Sequence, residues 1–580
     1  MLSSKTMARI TGAGLLLTAA GWLLAGHPGH RLHGVMLILA GLALAGLPVW
    51  RRLRRPGSAS LIGRWDRHGR RNAGTASRFD IWRTSSPWAM RRKAAVIRPS
   101  LTGMRWWQRR RVPLRSFAVP LARAGRQTVW TSAEESTLRI GIPGTGKTAE
   151  LANRVIDAPG GVVVTSTATD LFDLTAVLRR TRGPVQVFNP GGLGGLASSL
   201  RWSPVTGCAN PATAARRAAD LIGPLDQQGS EGARWATQAR RVLAVWLHAA
   251  ALRGNRMADV QAWCADPDTA RETILTALKT SPRAVEMQQA AAQSIDMSAR
   301  TRDGVMLAMA PALAWVTLPS AAEAGDPDPL TTDLFTVDEL TDRRGALYLL
   351  GDDDGTVGPL VAALVAEIAY QARHYAAGRP GGRLDPGLTL ALDEVALVCP
   401  TPLDKWMAEL RKRSIVIHAA CQGLGQLRQR WGADGASMIL NSAAAVLVYG
   451  GCKDAADLRA FADLAGDREE TTHTLGADGQ VTGSSTRRVP VIAPAMLAGL
   501  PNFQALLIRR GMRVALVRTP IVWKRRDLRR AAKPSRRAAR VTPARNDASR
   551  RPASATTARP AKPSPRCRPA TDARTVRAAA

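Results

Sequence analysis

Lys147 lies in the stretch Gly141-Ile142-Pro143-Gly144-Thr145-Gly146-Lys147-Thr148, which fits the pattern G-x-x-x-x-G-K-[ST]. Each position in that pattern has a chemical task. Gly141, Gly144, Thr145 and Gly146 let successive backbone N–H groups turn inward around a β-phosphate. The Lys147 ammonium reaches the β- and γ-phosphates, and the Thr148 hydroxyl ligates Mg²⁺. A Gly-rich turn can match the same letters by chance, so the context matters. Residues 137–142 read as a strand entering the loop and 149–156 as a helix leaving it, and a helix N-terminus favours an anion.

Hydrolysis needs a second group. Leu388–Leu392 is a short apolar run that predicts a buried strand, and Asp393 and Glu394 follow it. In phosphate-loop enzymes an acid at this position holds Mg²⁺, and an adjacent Glu can polarise the attacking water. Two acids at a strand end can also be simply solvated; the phosphate loop is what turns the pair toward ATP chemistry. The next strand, 415–420, is followed by Gln422. In RecA-like motors the strand beside the acidic one ends in a polar γ-phosphate sensor, and Gln422 occupies that place; a turn or capping glutamine is the plainer reading. Arg411 and Arg413 precede the same strand. Either is a candidate arginine finger for a neighbour's nucleotide, or a surface charge.

These residues require a scaffold, and 580 residues leave room for several domains. A hydrophobic fraction of 45% is ample for a core. The six cysteines show no C-x-x-C and no zinc spacing. They read as reduced cytosolic thiols, so Mg²⁺ is the only metal indicated. The net charge of +36 is unevenly spread: +3 falls in 1–50, +19 in 51–130 and +15 in 524–580, leaving 131–523 at −1. The basic excess therefore flanks the nucleotide region and does not coat it. It points to charge at a membrane surface and to a polyanion-binding tail.

The chain divides as follows. Residues 1–55 hold two uncharged apolar stretches, Ile10–Gly26 and 33–50, near the lower limit of roughly 17–25 residues for a membrane span. Together they read as a transmembrane hairpin. Lys5 and Arg9 before it, and Arg51, Arg52, Arg54 and Arg55 after it, put both ends in the cytoplasm. A cleaved signal peptide is the alternative for the first stretch. Residues 56–111 form a basic, irregular juxtamembrane segment with Trp65, Trp82, Trp88, Trp106 and Trp107 interleaved with Arg. That mixture suits anionic lipid or stacked single-stranded nucleic acid. Residues 112–210 and 325–523 alternate strand and helix, predicting an α/β ATPase core with a parallel sheet. Between them, 211–324 is Ala-rich with helical spacing and predicts an all-α insertion. From 524 to 580 the chain is Arg, Ala, Pro and Ser with few large apolar residues; a disordered tail is expected, either neutralising nucleic-acid phosphates or merely solvated.

The order of these features resembles the TraG/TraD-type coupling proteins of conjugative type IV secretion. Local strings add to the likeness: Val163–Thr167, Leu200–Val205, Trp235–Arg240, His418–Gln422 followed by Gln426-Leu427, and Ser442–Gly451. The resemblance covers roughly 10–520. It implies a RecA-like homo-hexameric ATPase at the cytoplasmic membrane, with the ATPase domain in the cytoplasm. Such a protein delivers relaxase-bound, single-stranded DNA to the components of a secretion channel. It further implies ATP and Mg²⁺ at Lys147, Thr148 and Asp393, a water-activating Glu394, a sensing Gln422, and substrate contact by the helical insertion. Two departures stand out. Gly144-Thr145 replaces a pair such as Arg-Ser, which leaves the loop pattern intact. The 410–414 segment lacks the usual Gly-rich spelling, which bears on the arginine-finger role. The rival readings are an FtsK-like double-stranded DNA pump, against which no winged-helix reader is evident after residue 520, and a membrane scaffold with a regulatory nucleotide site.

Overall fold

The strand-forming runs between 137 and 449 are four to seven residues long and, apart from the half-buried start of 185–188, buried on both faces. Strands of that kind belong inside a parallel sheet covered by helices. The computed structural model describes residues 4–26, 33–43, 74–223, 229–328, 336–352, 354–475 and 481–531. Its strands are β1 (Ala118–Ala124), β2 (Gln127–Ser132), β3 (Thr137–Ile140), β4 (Val162–Ser166), β5 (Val185–Phe188), β6 (Ala346–Leu350), β7 (Leu388–Leu392), β8 (Ile415–Cys421), β9 (Ala445–Tyr449), β10 (Asp467–Leu475), β11 (Val481–Pro490), β12 (Gln504–Arg509) and β13 (Met512–Arg518). Eleven of them form one sheet in the order β2-β1-β13-β12-β9-β3-β8-β7-β4-β6-β5. Strands β3 to β9 run parallel, and the β12–β13 and β1–β2 pairs extend the β9 edge in antiparallel fashion.

Helices cover both faces. On one, Lys147–Asp157 and Asp170–Arg179 pack Leu151, Val155 and Leu171 against Val162, Val164 and Tyr348. On the other, Gly358–Ala377 lies in the main core with Leu390, Leu392 and Ile417. Between β5 and β6 the described chain is helical, from Pro211–Ile222 through Gly229–Arg253 to Pro319–Gly325. Asn210, Asp266 and Ser298 cap helices there by accepting backbone N–H bonds. Trp246 and Trp315 are completely buried in this region and belong to the main core.

Two readings change, and one element was not foreseen. The juxtamembrane segment is not irregular throughout: Arg78–Ser85 and Pro87–Ile97 are helices. Ser77 and Asp80 exchange capping bonds of 3.1 and 2.8 Å, and Ser86 caps the second helix from just before Pro87. Met90, Ala94 and Ile97 then bury against Phe117, tying the segment to the core. The tail does not begin at 524, because Arg525 pairs with Asp157 and Leu528 is buried, which keeps 524–531 in the fold. Finally, the polar stretch after 466 forms the two-stranded hairpin β10–β11.

At the N-terminus Ser4–Ala25 is helical, as is 33–43. A Cβ on Gly34 would stand 2.6 Å from the Gly21 carbonyl oxygen, so the two helices touch through glycine. Leu16, Trp22, Leu23, Met36 and Leu39 face outward. Among the described residues no single helix is long and apolar enough to cross a membrane. The end of the second expected span, Trp65 and the Arg51–Arg55 charges fall outside the described residues, as does the tail beyond 531.

Candidate nucleotide site

Strand β3 ends in the middle of the sheet, and its following loop must reverse within a few residues to start a helix. Gly144 and Gly146 have φ of +79° and +105°, a region costly for residues with a Cβ. At Gly141 the constraint is space, since a Cβ would come within 2.6 Å of Tyr449 Cβ. The helix Lys147–Asp157 starts directly after Gly146, and no side chain caps it. Its first N–H groups and its dipole therefore face the loop unneutralised, an arrangement suited to phosphate. The Thr145 hydroxyl donates to the Ile142 carbonyl at 2.7 Å and holds the loop closed.

The carboxyl ends of β3, β7 and β8 are adjacent, which brings the separate motifs together. The Lys147 side chain is buried; its Nζ donates to the Gly141 carbonyl and lies 3.5 Å from Glu394 Oε1. Thr148 Oγ1 donates to Asp393 Oδ2 at 2.9 Å. Gln422 Nε2 donates to Glu394 Oε2 at 3.4 Å, while its backbone N–H is held by Gln426 Oε1 at 2.9 Å. Burial pushes the Asp393 carboxyl up to about 6; the neighbouring Glu394 charge adds to this, and the Thr148 hydroxyl and Lys147 oppose it. Glu394 has φ 43° and ψ 48°. Left-handed backbone at a non-glycine residue costs of order 1–3 kcal/mol and concentrates at functional positions.

A buried charge network fixes the first helical turn to the strand. Glu150 accepts from Arg154 Nε at 2.9 Å and from Arg139 Nε, and all three side chains are fully buried. Arg139 Nη1 also donates to Thr137 Oγ1 at 3.0 Å, and Thr137 Oγ1 is 2.8 Å from His418 Nδ1. Burial, with Arg154 and Arg139 nearby, pushes the His418 imidazole well below its usual range, so it is neutral.

Arg411 and Arg413 are not brought to this cluster. They lie at the opposite end of β8, which at ~3.3 Å per residue puts them on the order of 20 Å away. Arg413 donates to the Gly382 carbonyl at 3.0 Å, and Arg411 is exposed. The sequence reading missed Phe503. Its N–H donates to the Thr145 carbonyl at 2.9 Å, and its ring abuts Gly146. No motif spacing marks it, because it reaches the loop from the far side of β12.

Mg²⁺ prefers a few oxygen ligands and keeps several waters. A hydroxyl and a carboxylate already in contact, Thr148 and Asp393, fit that preference. Among the described residues no cluster of three or more His, Cys, Asp or Glu side chains could enclose a metal.

Comparison with known proteins bears on the fold and on one segment of the chain. Residues 387–502 match the sequence family described as the TraM recognition site of TraD and TraG. A search of curated proteins finds no match. Among solved structures, the bacterial conjugative coupling protein TrwBΔN70 in its unbound monoclinic form is similar at 19% identity and a TM-score of 0.50. The match covers 67% of this chain and 85% of that one. The trigonal form in complex with sulphate gives 19%, 0.50, and 67% and 86% coverage. The plasmid coupling protein TrwB in complex with ADP and Mg²⁺ gives 18%, 0.47, and 67% and 85%. The fold is thus the RecA-like α/β one. The segment that matches the TraG/TraD family model, 387–502, is the one that carries Asp393, Glu394 and Gln422.

Proposed function

We propose that this chain is a membrane-anchored ATPase. It would couple ATP hydrolysis to delivery of DNA, as a relaxase-bound single strand, to a type IV secretion channel in conjugation. The carrying observation is the convergence of Lys147, Thr148, Asp393, Glu394 and Gln422 at the carboxyl ends of the central strands, in a chain whose 387–502 segment matches the TraG/TraD family model. In this reading the loop N–H groups from Gly144 to Thr148 and the Lys147 ammonium hold the triphosphate. Thr148 and Asp393 hold Mg²⁺, which when bound neutralises charge on the phosphate oxygens. Glu394 orients and deprotonates the attacking water, a contribution of roughly 10²–10⁴ in rate for a positioned base. Gln422, bonded to Glu394, senses whether a γ-phosphate is present and passes that state into β8.

The membrane reading is supported by the glycine-packed helix pair with apolar residues outward; the cytoplasmic-membrane location and homo-hexamer rest on the family resemblance. Partners would be the relaxase complex and the secretion channel. The test is ATP turnover by the purified full chain with and without DNA. Mg²⁺-dependent turnover raised by single strands supports the reading. Stimulation by duplex alone would move it to an FtsK-like pump. ATP binding with no turnover under any condition would leave a regulatory scaffold.

A further inference from the structure

The phosphate loop accounts for one end of a nucleotide. We infer that Phe503 and Trp523 seat the other end: a purine base stacks on the Trp523 indole at the rim of the loop. This rests on the nucleotide-site reading above and adds the base.

Two aromatic residues are held at this rim. Phe503 sits at φ 61°, an outlier for a bulky residue. Two backbone bonds keep it there, its N–H to the Thr145 carbonyl and the Thr519 N–H to its own carbonyl, both 2.9 Å. Its ring lies so close to Gly146 that a Cβ there would be 2.5 Å from Cδ1. Trp523 meets Phe503 edge-on, at 5.7 Å between centroids and 80°. Through Phe503 the indole is joined to the phosphate loop at Gly146.

Trp523 is fixed in place yet 48% exposed. Its turn, Val522–Lys524, is anchored by the fully buried Val522. On one side Asn153 Nδ2 donates to the Pro520 carbonyl at 2.9 Å. On the other, Arg525 donates to Asn153 Oδ1 at 3.1 Å and to Asp157 Oδ2 at 2.9 Å. Both clamps grip the helix that starts at Lys147. A large apolar face immobilised beside a phosphate site and left open to water is a stacking platform.

The same contacts set its selectivity. Asn153 spends its amide hydrogens on the Ala149 and Pro520 carbonyls. Arg525 is engaged by Asn153, Asp157 and Asp527. Neither is left to read a base edge. Recognition by stacking favours large rings over small ones without separating adenine from guanine.

The experiment is calorimetric titration of the full chain with ATP, GTP, CTP and inorganic tripolyphosphate, each with Mg²⁺, for the wild type, Trp523→Ala and Trp523→Phe. ATP and GTP should bind alike and more tightly than CTP. Trp523→Ala should weaken both purine nucleotides about tenfold or more, the range of one lost base–aromatic stack, and leave tripolyphosphate unchanged. Trp523→Phe should recover part of the loss. Equal loss for ATP and tripolyphosphate, or no loss for either, would overturn the base seat while leaving the phosphate site standing. A wild type that binds neither would overturn both.

Discussion

The seven parallel strands have two ends, and the charges at each are treated differently. At the amino end Glu134, Glu135 and Asp385, next to the strand starts, each have a basic partner. Glu134 accepts from Arg383, Glu135 from Arg509 at 2.7 Å, and Asp385 from Arg98 and from the Ser100 N–H. At the carboxyl end Asp393 and Glu394 stand side by side with the single ammonium of Lys147 between two demands, and the helix that begins there is uncapped. Glu394 is held in left-handed backbone, and Asp393 is pushed up to about 6. One end pairs these acids with basic side chains of the same chain, although burial still pushes the Glu134 carboxyl up against the opposing pull of Arg383. The other is organised for phosphate and a cation that arrive from outside. Unsatisfied charge in a well-packed sheet marks function, and satisfied charge marks structure.

If the comparison holds, changes at the carboxyl end alter chemistry at small cost in stability. The largest effect is expected for Glu394→Gln: ATP affinity stays within a few-fold while steady-state turnover falls roughly 10²–10⁴, the contribution of a positioned base. Normal turnover in this variant would remove Glu394 from the reaction. Next comes Lys147→Ala, which deletes a contact to charge on the transferred group, worth roughly 10²–10³ in rate, and weakens nucleotide binding as well. Equal retention of affinity and rate would show the loop to be a mere turn.

The charge misfit gives a pH-dependent prediction. An unfolded Asp titrates near 3.8, and folded Asp393 near 6. Between those values the folded state binds more protons, so Asp393 makes stability fall as pH rises from about 4 to 6. Above that the carboxylate costs up to about 3 kcal/mol in the ligand-free protein. Asp393→Asn removes this cost and keeps an acceptor for Thr148. Its thermal midpoint should exceed that of wild type at pH 8 and match it near pH 4. A lower midpoint at pH 8 would mean the acid is already compensated.

Much of this was readable from residues alone, and the reasons are local. The loop at 141–148 and the acids at 393–394 announce themselves because phosphate and Mg²⁺ chemistry fixes residue types at fixed spacing. Buried parallel strands such as Leu388–Leu392 are legible because both faces must be apolar. The helices at 78–97 were hidden by their surface: exposed Phe79, Trp82 and Trp88 and several Arg obscure the period, although the Ser77–Asp80 capping box was in view. That 524–531 belongs to the fold rests on Arg525 with Asp157 and on buried Leu528, which composition cannot reveal in an Arg-rich stretch. Phe503 could not be found because its role comes from sheet order, which places β12 next to β9 and so beside the loop after β3.

The smallest effects are expected at the amino end, and there the comparison is most exposed to failure. Arg383→Ala should cost about 1–3 kcal/mol, because Glu134 is left buried without its charged partner, and nucleotide affinity should not change. Arg413→Ala loses one bond to the Gly382 carbonyl, about 1 kcal/mol. Arg411→Ala, at an exposed position, should stay within about 0.5 kcal/mol. Each of these residues is on the order of 20 Å from its own chain's phosphate loop, so turnover of dilute, unassembled protein should match wild type in all three. Assembly supplies the sharper measurement. If turnover of the Arg411 variant falls only at concentrations where the chain self-associates, the amino end of one sheet completes the carboxyl end of the next. Arg411 would then be an arginine finger, and the two ends would be two halves of one site.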